Sequence, residues 1–529
     1  MRQFVVLLVS VTTVVGGIPL RVYAQGPQIV SEYQQSVDQQ NPTQPPSTDP
    51  QQNPTTPPST DPTTPPSTDP TTPPSSDPTT PPASDAPAQQ PTETPTQTSS
   101  DQTSASTPGH PRHFILRTSP EAADAIAARH GLTIVRRDES AAPIYVVTGR
   151  SETDPATLKT EVTADGSVSS FEEDRHLDVP ETAPAVPTTP AAPSLPDPTP
   201  LDYFGATAWT GYAFQTASAI IRASDAHRDF GGGAGVIAVI DSGIDINHPA
   251  LAGSFVEGYD FLTDSAQTTS DTGTLQQSTA SILEYTSPDP AVDPMTTAQV
   301  NQSTAAILEQ STAAILESEP LPEGFGHGTM VAGLIRLVAP TAKIMPLRVF
   351  KTDGTGDVYD VVRAIYYAVD HGATVINMSF SLADWSEELV RALNYAVDHR
   401  VVCVASAGNA GKETIVFPAG FRHVIGVGST DSQDRRSTFS NFGRGLVRMS
   451  APGEGLVTTF PGNHYALVSG TSFSSALVSG AAALLLQRDP TLDPEDVDDA
   501  LARVGRPRNG ALAGDLRLDL YYALLRIRQ

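Results

Sequence analysis

"VIAVIDSGID", residues 236–245, sets five apolar side chains in a row, ends them on an aspartate, and then turns at a glycine. An unbroken apolar run of this length, closed by turn residues, reads as a buried strand, here "GVIAVID" (235–241). The same kind of run returns as "AKIMPLRVF" (342–350), "TVINMSF" (374–380), "VVCVASAG" (401–408) and "VIGVGST" (424–430). Helical patterns at 357–370, 385–398 and 474–487 fall between and after them. Strands alternating with helices predict an α/β fold, a mostly parallel sheet flanked by helices, over residues 203–529. "GGGAG" (231–235) is not a phosphate cradle, because it precedes its strand instead of joining a strand to a helix.

Upstream of this region the pattern changes. "HFILRTS" (113–119), "LTIVRR" (132–137), "PIYVVTG" (143–149) and "SVSSFEED" (167–174) read as four strands around helices at 120–130 and 156–164. Asp154 caps the second helix, with Pro155 in its first turn. The order β-α-β-β-α-β over 112–179 predicts a small ferredoxin-like α+β unit. A Pro-rich linker at 180–202 separates it from the larger region.

Residues 25–111 hold 22 of the 48 prolines, nine acidic residues and no lysine or arginine. "TTPPSTDP" repeats at 55–62 and 63–70, which predicts an extended polyproline spacer with no core. Met1 to Ala24 combines a basic start, the apolar "FVVLLVSVTTVVGG" (4–17) and small residues at "VYA" (22–24). This predicts a signal peptide cut after Ala24, and a secreted or cell-surface protein. A second acidic stretch, 246–335, carries eleven acids and again no lysine or arginine. The net charge of −27 is therefore concentrated in these two stretches, and no basic patch offers itself to nucleic acid. The one cysteine, Cys403, precludes an intramolecular disulfide and reads as a packing residue in a buried strand.

Three segments carry chemistry. Asp241 closes the strand quoted above, His327 opens a helical pattern in "GHGTMVAGLI", and Ser472 opens another in "GTSFSSALVSG" (470–480). Each has an ordinary reading taken alone: a turn acid, a histidine in a glycine-rich bend, a small residue easing helix packing. Together they are the parts of acyl transfer. A serine needs an imidazole to take its proton, and the imidazole needs a carboxylate to hold its tautomer.

These motifs, in the order Asp, His, Ser, resemble those of the subtilisin-family (subtilase) serine proteases over roughly 205–529. "ASAGN" (405–409) adds a fourth match and sets Asn409 on the family's oxyanion-hole asparagine. The resemblance implies a secreted endopeptidase with catalytic Asp241, His327 and Ser472, and a substrate cleft lined by Ser379, Phe380, Ser381, Ala407 and Gly408. It implies polypeptide substrates, a monomer, no required cofactor, and calcium only as family members use it. It further implies that 112–179 is a propeptide, an intramolecular inhibitor shed by self-cleavage. His327 within its full motif argues against the related sedolisins, which use a glutamate there.

The sequence departs from the family at Phe473, Ala476 and Ser381, where methionine, proline and glycine are usual. These support the alternative of a catalytically silent subtilase fold displayed as a binding module. Asp241 and His327 are also 86 residues apart, with an insertion near 265–322 that carries "QSTASILE" (277–284) and then "QSTAAILE" in tandem (302–309 and 310–317). The repeated unit is compatible with a short helix or hairpin, and the insertion is expected to be a tolerated surface elaboration.

Overall fold

The computed structural model describes residues 112–140, 142–149, 153–178, 196–266, 306–307, 324–502, 506–507 and 516–527. Contacts divide the chain between His110 and Pro111, and every described residue follows that division. The signal peptide, the spacer at 25–111, most of the 180–202 linker and most of the insertion lie outside the described residues.

The N-terminal layer has four strands, β1 (His113–Thr118), β2 (Thr133–Asp138), β3 (Ile144–Thr148) and β4 (Val168–Glu173), and two helices, α1 (Pro120–His130) and α2 (Pro155–Thr163). The strands pair antiparallel in the order β2-β3-β1-β4, the ferredoxin-like arrangement. The Asp154 carboxylate accepts from Thr157 N–H at 3.0 Å and so starts α2. Alternation along β1 explains how the sheet is used. Phe114 and Leu116 point into the layer's own core with Ile126, Leu158 and Phe171, while Ile115 joins the core of the larger region. A short strand, β5 (His176–Asp178), leaves the layer.

The larger region begins with a hairpin, β6 (Pro200–Tyr203) and β7 (Ala206–Trp209), and helix α3 (Ala223–Phe230). The sheet strands are β8 (Val236–Asp241), β9 (Tyr259–Asp260), β11 (Lys343–Arg348), β13 (Val375–Met378), β14 (Val402–Ser406), β15 (Val424–Thr430) and β16 (Met449–Pro452), with β19 (Arg506–Pro507) and β20 (Leu516–Arg517) at one edge. Among the described residues their order is β19-β20-β16-β15-β14-β13-β8-β11-β9, parallel except at β19–β20. The apolar runs are continuous because both faces are covered. Ile237 and Val239 of β8 face one core, and Ala238 and Ile240 face the other.

Helices α4 (His327–Val338), α7 (Thr471–Arg488) and α9 (Leu520–Arg526) build the first core. Helices α5 (Val358–Asp370) and α6 (Glu387–Asp398) build the second, and α8 (Pro494–Ala502) packs beside α7. Further short strands lie off the main sheet. The first, β12 (Thr355–Asp357), pairs antiparallel with β5 of the layer. Strands β17 (Leu456–Phe460) and β18 (His464–Val468) form a hairpin leading into α7. Sequence reading missed this hairpin, because its polar-apolar mixture carries no long apolar run. The described part of the insertion is β10 (Ala306–Ile307), paired antiparallel with Ala466 and Leu467 of β18. It is an added edge strand, and the rest of the repeated unit, compatible from its sequence with a short helix or hairpin, lies outside the described residues.

The layer rests on α5 and α6. Glu172 accepts from Ser386 Oγ at 2.6 Å and from Glu387 N–H at 2.8 Å, and so sits on the α6 N-terminus. The Asp174 carboxylate accepts from Tyr359 N–H at 3.0 Å at the start of α5. Arg117 pairs with Glu388 and Arg136 grips Asp360 through two bonds of 2.7 and 2.8 Å. No helix among the described residues is long and apolar enough to cross a membrane.

Candidate active site

Asp241 ends β8 at the carboxyl edge of the sheet, where open α/β sheets bind ligands. It is buried, and both of its oxygens face Nδ1 of His327, at 2.8 and 3.0 Å. With the carboxylate ionised, the imidazole proton is held on Nδ1 and the Nε2 lone pair is left as a base. His327 is the first residue of α4. The first turn of this helix lies so close to the β8 loop that a Cβ on Gly328 would stand 2.2 Å from the Gly243 carbonyl oxygen. Only glycine at 328 lets the two motifs meet. The helix is tied from its other side, because Thr458 and Thr459 of β17 donate to the carbonyls of Met330 and Thr329 at 2.6 and 2.7 Å.

Ser472 is the second residue of α7 and fully buried, as is every residue from Thr471 to Leu485. Small residues make this possible, since Ser, Ala and Gly let the helix lie directly on β13 to β16. Ser472 Oγ donates to the Ser379 carbonyl at 3.3 Å. Its own carbonyl accepts from Ser475 Oγ at 2.8 Å and from Ser379 Oγ at 3.1 Å. Asn377 donates to Ser379 Oγ at 2.9 Å and accepts from Ser479 Oγ at 2.8 Å. A chain of uncharged hydrogen bonds thus pins the first turn of α7 to the end of β13.

Asn409 follows β14. Its Oδ1 accepts from the N–H of Thr471 at 3.0 Å and from Thr471 Oγ1 at 2.8 Å. Thr471 Oγ1 accepts in turn from Gly408 N–H at 3.0 Å. Two donors on Oδ1 orient the amide and put Nδ2, its donor end, on the opposite side. The loop behind is held by Asn441, whose amide bonds the carbonyl of Ala407 and the N–H groups of Ala410 and Lys412 at 3.0 to 3.2 Å. Gly408 needs its φ of +86°, and a Cβ there would lie 2.6 Å from Asn441 Nδ2. Sequence reading missed Thr471, Asn441, Asn377 and Ser475. The only signal was the adjacency of Thr471 to the serine.

The remaining residues implied by resemblance lie close by. Ser379 and Ala407 are buried, Ser381 is half-buried, and Phe380 is fully buried against Phe350, with ring centres 5.2 Å apart. Phe473 is buried with its ring centre 5.8 Å from that of His327. Ala476 leaves α7 unbroken from its first turn onward. His248 is buried away from this chemistry. Its Nδ1 accepts from Ala250 N–H at 3.2 Å, its Nε2 meets the His464 carbonyl at 2.9 Å, and burial lowers its pKa. Among the described residues no three His, Cys, Asp or Glu side chains group as a metal site.

A second segment reaches this region. Gly324, three residues before His327, donates to the Thr352 carbonyl at 2.9 Å, and Phe350 packs on Phe380. Strand β5 of the layer pairs Leu177 with Gly356 of β12, and Leu177 is buried in the same core as Phe350, Phe380 and Val358.

The sequence profile of the subtilase family matches residues 232–512. A thermophilic serine proteinase of Bacillus sp. (strain AK1) is 36% identical over 259 residues, covering 47% of this chain and 51% of that protein. Subtilisin DY of Bacillus licheniformis is 38% identical over 193 residues, 34% of this chain and 70% of that protein. Thermitase of Thermoactinomyces vulgaris is 33% identical over 47% of this chain and 74% of its own length. Among solved structures, fervidolysin from Fervidobacterium pennivorans superposes with a TM-score of 0.56 at 21% identity, over 79% of this chain and 61% of that one, a likeness of fold.

Proposed function

The chain belongs to the subtilase family of serine endopeptidases, and on that premise we propose that it is a secreted peptidase that matures by cutting itself. The observation that carries the reading is the Asp241–His327 contact of 2.8 Å, with the imidazole 5.8 Å from the ring of Phe473, the residue after Ser472. In the first half-reaction Ser472 Oγ bonds to the scissile carbonyl carbon as its proton passes to His327 Nε2. Asp241 stabilises the imidazolium that results. The oxyanion is met by Asn409 Nδ2 and the N–H of Ser472, at a helix N-terminus whose dipole favours negative charge. Collapse breaks the carbon–nitrogen bond, and the leaving amine takes the proton from His327. Water, deprotonated by the same imidazole, then releases the acid and returns Ser472.

The layer at 112–178 is the propeptide in this reading. Support comes from its position on α5 and α6 and from β5, which pairs antiparallel with β12 as an added substrate strand would. The chain is still bound there at Asp178, so the maturation bond is expected downstream of that residue. Substrates are polypeptides, and one copy carries a whole site, consistent with a monomer.

The test is the intact mass of the secreted protein beside its Ser472→Ala variant. Loss of the N-terminal region from the wild type alone is the expected result. If both keep it, and a fluorophosphonate fails to label Ser472, the silent binding module suggested by Phe473, Ala476 and Ser381 takes the place of the peptidase.

A further inference from the structure

Strand β5 touches more of the larger region than an apolar anchor needs. Leu177 fills the pocket, but the two residues before it are cationic or protonatable, and each meets an acceptor. Arg175 Nη1 donates to the Trp385 carbonyl at 2.8 Å, and its own carbonyl accepts from Val358 N–H at 3.1 Å. His176 Nδ1 lies 2.7 Å from Asp357 Oδ1. The surface beneath continues in the same sign. Asp360 takes Arg136, and Glu388 takes Arg117. Everything charged that α5 and the α6 N-terminus turn to the layer here, apart from Arg363 and Arg391, is a carboxylate. The layer sets an arginine or histidine on Asp357, Asp360 and Glu388, while its own Glu172 and Asp174 take backbone N–H groups at the starts of α6 and α5.

We propose that the mature cleft selects polypeptides carrying one or two cationic residues immediately before the apolar residue that takes the Leu177 pocket, with Asp357 and the Trp385 carbonyl as the selecting groups. This rests on the reading of β5 as a substrate strand. Antiparallel pairing with β12 fixes which residue faces which, so a substrate laid down in this register sets its own side chain against Asp357 as His176 does. His176 is 76% exposed and Asp357 28%, so the pair is screened by water and the preference is one of a few-fold rather than all-or-none. A basic segment is held, and an acidic one is repelled by both Asp357 and Asp360.

Quenched-fluorescent peptides spanning residues 172–184 of this chain test it against the matured protein. Relative to the parent peptide, His176→Lys should be cut at least as fast. His176→Glu should fall roughly 3- to 10-fold below the lysine peptide in kcat/KM. The gap should narrow in about 1 M salt, and Arg175→Glu should lower the rate further. In the Asp357→Lys protein the order of the lysine and glutamate peptides should invert, and in Asp357→Asn it should flatten. Equal rates for the two peptides on the wild type, or an unchanged order in Asp357→Lys, overturn the cation preference. A Leu177→Asp peptide separates this from failure of the underlying reading. If it is cut as fast as the parent, or if the parent resists an enzyme that degrades casein, β5 is no guide to substrates and the proposal falls with it. If cleavage needs Leu177 but ignores the charge before it, the substrate strand stands and only the selectivity is lost.

Discussion

Helix α7 and the seam beneath the N-terminal layer are both buried, and they are buried with opposite chemistry. From Thr471 to Leu485 the helix shows water no residue, and its polar groups are hydroxyls satisfied at close range. The seam shares apolar contacts through Ile115, Ile144, Val146 and Leu177, each worth about 1.5–3 kcal/mol when fully buried, but it adds a line of ion pairs. Arg117 meets Glu388, Arg136 meets Asp360, and Arg363 reaches Asp138 and Asp264. Uncharged packing gives Ser472, the proposed nucleophile, a position that neither salt nor pH disturbs. Charged packing gives the layer an attachment that solution conditions can loosen. In the proposed maturation, a contact that must be permanent and one that must be undone are thereby kept chemically apart.

The sharpest way to test the rigid side is Asn409→Ala. It removes the proposed side-chain oxyanion donor, which Thr471 holds in place, and kcat should drop about 10²–10³ with KM little changed, a magnitude carried over from subtilisin itself. On the seam, Glu388→Ala leaves Arg117 without its buried partner. In the cut protein, binding of the layer should weaken by about 3 kcal/mol, close to 10² in Kd, by titration with the separated fragment. An effect no larger than for an exposed pair would erase the contrast.

The seam should also titrate. The Asp174 carboxyl, shielded from water and facing Asp357 and Asp360, is raised to about 8, and burial raises Glu172. The docked surfaces therefore hold protons that the parted surfaces release. Docking is strongest below the free-carboxylate value and is lost as pH climbs towards 8, by at most about tenfold in Kd per unit for one proton. Asp174→Asn should flatten that profile, and kcat in the floor of the site should not follow it. The smallest effect belongs to Phe473→Met. It restores the residue usual in the family at nearly conserved volume and should shift the unfolding free energy by less than about 1.5 kcal/mol in urea melts. A larger change would mean that α7 has repacked around its aromatic ring.

Much of this was legible in the chain because the parallel sheet announces itself. Ile237 to Ile240 must be apolar on both faces, so β8 and its neighbours are visible as runs, and Asp241 is found at the end of one. His327 and Ser472 are legible for another reason. Close approach demands Gly328 beside the first, and a packed helix demands small residues after the second, which makes both motifs compositionally odd. Thr471, Asn377 and Asn441 were not legible, since a hydroxyl or amide that holds another group looks like any polar residue until its partner is known. The β17–β18 hairpin escaped because its strands are short and mixed. Nor could the seam be read. Arg117 and Glu388 are 271 positions apart, and nothing local marks either as one half of a pair.

Cys403 has a use outside all of this. It stands in β14 with its side chain enclosed, and burial pushes its thiol up to about 12. At neutral pH almost none of it is thiolate, the form that reacts with maleimides or nitroxide reagents. The native protein is therefore its own blank. A single cysteine introduced on the surface, at Ile415 beside the cleft or at Val135 on the layer, becomes the one reactive thiol in the folded molecule. A spin label or fluorophore there can follow the two bodies as they separate, with no background to subtract.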